Sequence, residues 1–143
     1  IGLWLVACSH TFAGVAPNPI GPAPDFALID DGDQPFKLSD LRGKWILLAY
    51  GYTHCPDVCP LTLSRLRDVK KIVDPNGDRV QVVFVTIDPE RDTPDIMQKY
   101  VSHFDQAFPQ KFKGLSGTPE EIAAAAKAYN VKYEKKETGS ADG

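Results

Sequence analysis

An α/β fold with parallel strand pairing is what this chain predicts, and three stretches carry the expectation. Residues 45–50 (WILLAY) and 80–87 (VQVVFVTI) are apolar runs, each the length of one strand, and the second is rich in β-branched residues. Between them Leu61, Leu63, Leu66, Val69, Ile72 and Val73 recur at near-helical spacing, with Arg65, Arg67, Asp68, Lys70 and Lys71 interleaved on a polar face. A second helix start, Thr93-Pro94, follows the second run. Strand, helix, strand, helix implies parallel neighbours joined by right-handed crossovers, in a three-layer α/β/α arrangement.

In chain order, residues 25–29 (DFALI) predict a short strand. Asp30 to Asp33 predict a turn, and Phe36 to Leu38 a returning strand. Ser39 to Lys44 predict one helical turn ended by Gly43. Run 45–50 reads as a buried central strand. The helix after it ends at Pro75-Asn76-Gly77, and the next runs from Asp95 to about Phe104. Lys113 to Ser116 predict a short strand. Thr118-Pro119-Glu120-Glu121 has the spacing of a capping box and opens an alanine-rich helix reaching about Tyr129. Val131 to Tyr133 predict the beginning of another strand, and the tail from Glu134 is polar.

A chain of 143 residues suits one domain with a single core, and 43% hydrophobic with 24% charged residues is ordinary for a globular protein. A net charge of −3 without a basic run gives no electrostatic case for nucleic acid. The chain opens on Ile1, and residues 1–7 (IGLWLVA) are almost wholly apolar. That stretch is far short of the ~20 residues a spanning helix needs, so it reads as the end of a signal peptide. Leu5-Val6-Ala7-Cys8 resembles a bacterial lipobox, which makes Cys8 a lipid attachment site; the alternative is the tail of a membrane anchor with an incidental cysteine. Either reading places the domain outside the cytoplasm, anchored at the outer face of the bacterial cytoplasmic membrane. The expected organisation is thus 1–8 signal-peptide end or anchor, 9–24 a Pro/Gly-rich linker, and 25–143 the folded domain.

With Cys8 set aside, Cys55 and Cys59 remain, in the segment Gly51-Tyr-Thr-His-Cys-Pro-Asp-Val-Cys-Pro60 where a strand gives way to a helix. Four-residue spacing on a helix puts both sulfurs on one face, within reach of each other or of one shared metal. Unpaired N–H groups at a helix N-terminus stabilise a thiolate there. Pro56 suits a first helical turn. A pair of thiolates is a soft site that favours Cu(I) over zinc, which ordinarily takes four ligands. A purely structural disulfide is the plain alternative, but so short a loop restrains the unfolded chain little. His54, beside Cys55, reads as a surface or supporting residue rather than a ligand; His103 reads as partly buried and His10 as part of the tether. Asp88, in the loop Asp88-Pro-Glu-Arg-Asp-Thr-Pro94 after the second strand, lies at the same carboxyl edge of a parallel sheet and is a candidate to tune the thiols. The competing reading makes this loop a helix entry, with Asp92 or Thr93 as cap.

These residues resemble the Sco/SenC family, copper chaperones of the thioredoxin superfamily that serve cytochrome c oxidase assembly. The resemblance runs in family order over about residues 24–133. It is carried by Pro24-Asp25-Phe26, Leu38 to Lys44, Gly51 to Pro60, Val85 to Pro94 and Gly114 to Thr118. It implies a thioredoxin-like fold, Cys55 and Cys59 as copper ligands and redox pair, Asp88 beside the site, and copper as Cu(I) or Cu(II). It also implies, as partner, the copper-bearing oxidase subunit or another copper chaperone. The family's third ligand is a histidine in an Asp-His pair that this sequence does not contain. The resemblance therefore implies a chain truncated at both ends, with the C-terminal hairpin and helix missing. Two functions stay open: copper metallochaperone, or extracytoplasmic thiol–disulfide oxidoreductase acting on cysteines of an oxidase subunit. Three residues between the cysteines speak mildly against a generic thioredoxin. A peroxiredoxin is rejected, because Tyr52 and Leu48 stand where that family needs threonine and proline.

Overall fold

The computed structural model describes Gly14, Val15 and residues 21–134; Cys8, most of the linker and the tail lie outside the described residues. Strands β1 (Ala27–Asp30) and β2 (Pro35–Lys37) form an antiparallel hairpin in which Leu28 faces Phe36, and both are buried. The turn is built by Asp30, whose Oδ1 accepts from the N–H of Gly32 at 2.9 Å and of Gln34 at 3.0 Å. A 3₁₀ turn (Leu38–Leu41) follows, and Gly43 at φ +87° lets the chain reverse into β3 (Trp45–Gly51). Then come α1 (Val58–Val73), β4 (Val80–Thr86), α2 (Pro94–Asp105), β5 (Lys113–Ser116) and α3 (Pro119–Ala128).

The five strands lie in the order β2-β1-β5-β4-β3. β3–β4 and β4–β5 pair in parallel, while β1 runs antiparallel to β5. β4 is buried along its whole length and divides two cores by strand alternation. Val82 and Phe84 pack with Cys59 and Leu63 of α1 and Met97 and Val101 of α2. Val83 and Val85 pack on the other face with Leu28, Leu115 and Ile122 of α3. The expected α/β/α layering is present.

Three expectations need correction. Run 45–50 was expected at the centre of the sheet, yet among the described residues β3 is an edge strand paired only with β4. Its apolar side chains are half-buried, and Trp45 is 78% exposed. The helix face is also rotated from the one that counting apolar residues predicts. Leu63 is buried as expected, but Leu61, Val69, Ile72 and Val73 are exposed, while Lys70 is completely buried. The reason is polar: Lys70 Nζ donates to Asp74 Oδ2 at 3.1 Å and to the carbonyls of Gly77 and Val80, and lies 5.2 Å from the Phe108 ring centroid. Asp74 in turn accepts from the N–H groups of Arg79 and Val80, so one buried ion pair closes the α1–β4 loop. Finally, residues 131–134 form no strand. Asn130 adopts φ 56°, and the N–H groups of Asn130 and Val131 turn back to the carbonyls of Lys127 and Ala126. That is a Schellman cap, and it commits Val131 to the end of α3.

Candidate metal centre

β3 delivers the chain to the cysteine turn through Gly51, whose carbonyl accepts from Ile87 N–H at 2.8 Å. Gly51 is required there by space: a Cβ on it would lie 2.6 Å from Cys59 Sγ and 2.9 Å from the Phe84 ring. The turn then folds on itself, with Cys55 N–H donating to the Tyr52 carbonyl at 3.3 Å. Helix α1 starts at Val58, so Pro56 precedes it, and Pro60 is the proline inside the first turn, where no N–H partner is needed. Cys55 therefore sits just before the helix rather than on it. The four-residue spacing still brings the pair together: Cys59 N–H donates to Cys55 Sγ at 3.4 Å.

Both thiols are free, and their settings differ. Cys55 is partly exposed; Cys59 is buried among Leu63, Phe84 and Met97. Burial opposes ionisation of Cys55, but the N–H groups of Cys59, Asp57 and Val58 at the helix start outweigh it and hold its thiol below the ordinary value. Burial pushes the Cys59 thiol up to about 11, and the neighbouring Cys55 adds to the rise. The Tyr52 phenol is raised as well, chiefly by the charge of Cys55, with which it shares a hydrogen bond.

The loop after β4 does lie beside this turn, and Asp92 bonds it to Thr53. Asp88 uses its carboxylate on Arg91, and its N–H on Thr86 Oγ1 at 2.9 Å. Asp92, fully buried, accepts from Thr53 N–H at 3.0 Å, Thr53 Oγ1 at 2.6 Å and Thr86 Oγ1 at 2.7 Å. Its own carbonyl accepts from Ser116 Oγ at 3.0 Å. Thr93 is the N-cap of α2 ahead of Pro94, as expected, though its side chain makes no cap bond. His54 is 48% exposed, with Nδ1 held at 3.1 Å by Thr53 Oγ1 and at 3.7 Å from Asp92 Oδ1. His103 is exposed rather than partly buried, its Nδ1 lying 2.6 Å from the Lys99 carbonyl. Among the described residues, no group of three or more His, Cys, Asp or Glu side chains could hold a metal. What is present is a two-sulfur site, one thiol open to solvent, the other in the core, suited to a soft two-coordinate cation.

The family model for SCO1/SenC matches residues 17–143. The mitochondrial SCO2 homologue of Mus musculus is 43% identical over 111 residues, covering 76% of this chain and 42% of that protein. The mitochondrial SCO1 homologue 1 of Arabidopsis thaliana is 42% identical over 118 residues, covering 82% of this chain and 34% of that protein. The chain thus spans less than half the length of these relatives. Among solved structures, copper-bound ScoI of Arabidopsis thaliana superposes with a TM-score of 0.71 at 42% identity, covering 80% of this chain and 71% of that one. Apo Sco1 of Thermus thermophilus gives 0.70 at 41% identity, covering 92% and 73%. Its thioredoxin-like fold and its sequence place this chain in the SCO1/SenC family.

Proposed function

We propose that this chain holds copper between Cys55 and Cys59 as cargo, in the service of cytochrome c oxidase assembly, and passes it to the oxidase's copper-bearing subunit or to another copper chaperone. The observation that carries the reading is the pair itself. Two reduced thiols meet at a strand-to-helix turn, with Cys59 N–H on Cys55 Sγ at 3.4 Å. The copper-bound relatives from Arabidopsis thaliana, Bradyrhizobium japonicum and yeast support copper as the ion. Two thiolates fit Cu(I) without further protein ligands, and Cu(II) calls for an added nitrogen or oxygen donor. Asp88, at the rim of the same sheet edge, is assigned a supporting electrostatic role. The domain extends from residue 25, and the segment before it tethers the protein outside the cytoplasm, through lipid on Cys8, at the outer face of the membrane. Competition for Cu(I) with a coloured chelator tests the reading in the full-length protein. Cys55→Ser and Cys59→Ser should each abolish tight binding, and unchanged affinity in either would contradict it.

The unequal thiols favour a second activity at the same place. A partly exposed Cys55 with a lowered pKa and a buried Cys59 with a raised one suit attack by the first sulfur on a partner's disulfide and resolution by the second. Electrons pass from the dithiol to the partner, which leaves as a dithiol, while Cys55 and Cys59 close as a disulfide. Copper-free reduction of a model disulfide faster than by glutathione is expected if this activity operates; a rate no greater would count against it.

A further inference from the structure

We propose that Asp92 is the positioning residue of the thiol turn: its buried carboxylate fastens Thr53 to the end of β4 and so presents Cys55. The geometry has three independent attachments. Thr53 is held twice, through its N–H at 3.0 Å and its hydroxyl at 2.6 Å. Thr86, the last residue of β4, is held at 2.7 Å on the oxygen that also takes the Thr53 N–H. The Asp92 backbone is itself anchored, by its N–H on the Asp88 carbonyl at 3.0 Å and its carbonyl on Ser116 Oγ at 3.0 Å, so β5 supports the clamp.

Elsewhere the thiol turn is held by the Cys55 N–H on the Tyr52 carbonyl, the Cys59 N–H on Cys55 Sγ, and the packing of Tyr52 and Cys55 on the core. Its side chains His54, Asp57 and Val58 are exposed, and α1 lends the turn only its first residues. Cys55 Sγ accepts from the Cys59 N–H at 3.4 Å, a contact that depends on where the turn before the helix is held. Thr53 lies two residues before Cys55, so freeing Thr53 frees the approach of that sulfur to that donor. A carboxylate with no exposed surface is expensive to bury, and this one turns both oxygens to Thr53 and Thr86.

The inference rests on Cys55 being the working thiol, and its test uses no copper, so its failure is distinct from a failure of copper binding. The rate of iodoacetamide alkylation of Cys55 is measured at pH 7 on the reduced full-length protein, with the modified cysteine identified by peptide mass spectrometry. Asp92→Ala should slow it about fivefold, since Thr53 is unfastened and the Cys55 sulfur is no longer held against the Cys59 N–H. Asp92→Asn can keep all three attachments, with the amide donating to the Thr53 hydroxyl, and should restore the parent's rate or exceed it. Thr53→Val, which retains the charge and the N–H bond, should slow the reaction about twofold and stands in if Asp92→Ala does not fold. Asp105→Ala removes another buried carboxylate, which accepts from Phe112 N–H at 2.9 Å far along α2, and should lower stability without changing the rate. The proposal is overturned if Thr53→Val reacts like the parent, if Asp92→Asn is as slow as Asp92→Ala, or if Asp105→Ala is equally slow.

Discussion

Replacing Gly51 by alanine puts one methyl group where the Cys59 sulfur lies. The added Cβ would stand 2.6 Å from Sγ and 2.9 and 3.0 Å from two atoms of the Phe84 ring. Ordinary contact starts at 3.4 Å, so the sulfur must retreat by nearly an ångström or β3 must shift away from it. Phe84 cannot yield easily, because it is fully buried and packed against Tyr100 with ring centroids 5.7 Å apart. Overpacking of this kind costs about 1–3 kcal/mol. The lower unfolded-state entropy of alanine returns only about 0.4–1 kcal/mol, leaving a net loss. In urea unfolding of the full-length protein this lowers the midpoint by roughly 0.5–1 M. The displaced sulfur should also weaken Cu(I) retention, since the two thiols no longer converge. Gly21→Ala, where nothing lies within 4 Å of the added Cβ, is the reference and should leave both readings unchanged. A Gly51→Ala protein as stable as Gly21→Ala, with undiminished copper retention, would refute the claim that Gly51 exists to make room for Cys59.

Other consequences follow from the loop and helix ends. Burial would push the Asp74 carboxyl up, but the N–H of Val80, the Lys70 ammonium and the N–H of Arg79 outweigh it and hold it at about 2, against an ordinary 3.8. Its contribution to folding is therefore complete above about pH 4 and is lost as pH falls through about 2, so Asp74→Asn should flatten the acid-unfolding curve in that window; an identical slope contradicts this. Lys70→Met leaves the buried Asp74 only the exposed Arg79 guanidinium at 3.8 Å as cation, and should lower the urea midpoint more than the double variant Lys70→Met/Asp74→Asn does. Thr118→Ala removes the bond from Glu121 N–H at 3.2 Å in a reciprocal capping box, and should cost about 1 kcal/mol in chemical denaturation.

Much of the architecture was legible because local signals and burial agree. The β-branched run 80–87 supplies the fully buried β4 as far as Thr86, and Thr118 with Glu121 forms the capping box its spacing predicts. The cysteine pair, too, was visible from spacing at a strand-to-helix junction. What was not legible depended on long-range polar contacts. Lys70 looked like a solvent-face lysine, and only Asp74 and the carbonyls of Gly77 and Val80 explain why it is buried. Val131 to Tyr133 had strand composition, but the αL turn at Asn130 uses the Val131 N–H to cap α3. Asp92 was weighed as a helix cap, and nothing in local spacing shows that its carboxylate reaches back 39 residues to Thr53. An acid placed between a strand end and a Thr-Pro helix start was the available clue.

The central claim is that one ion sits between Cys55 and Cys59. Copper X-ray absorption on the full-length protein loaded with one equivalent of Cu(I) tests it most directly, because it counts the sulfurs bound to the metal. Two sulfur ligands are expected in the parent, and at most one in Cys59→Ser, whose copper is no longer tightly held. A spectrum with no sulfur ligand, or one unchanged by Cys59→Ser, would contradict the account.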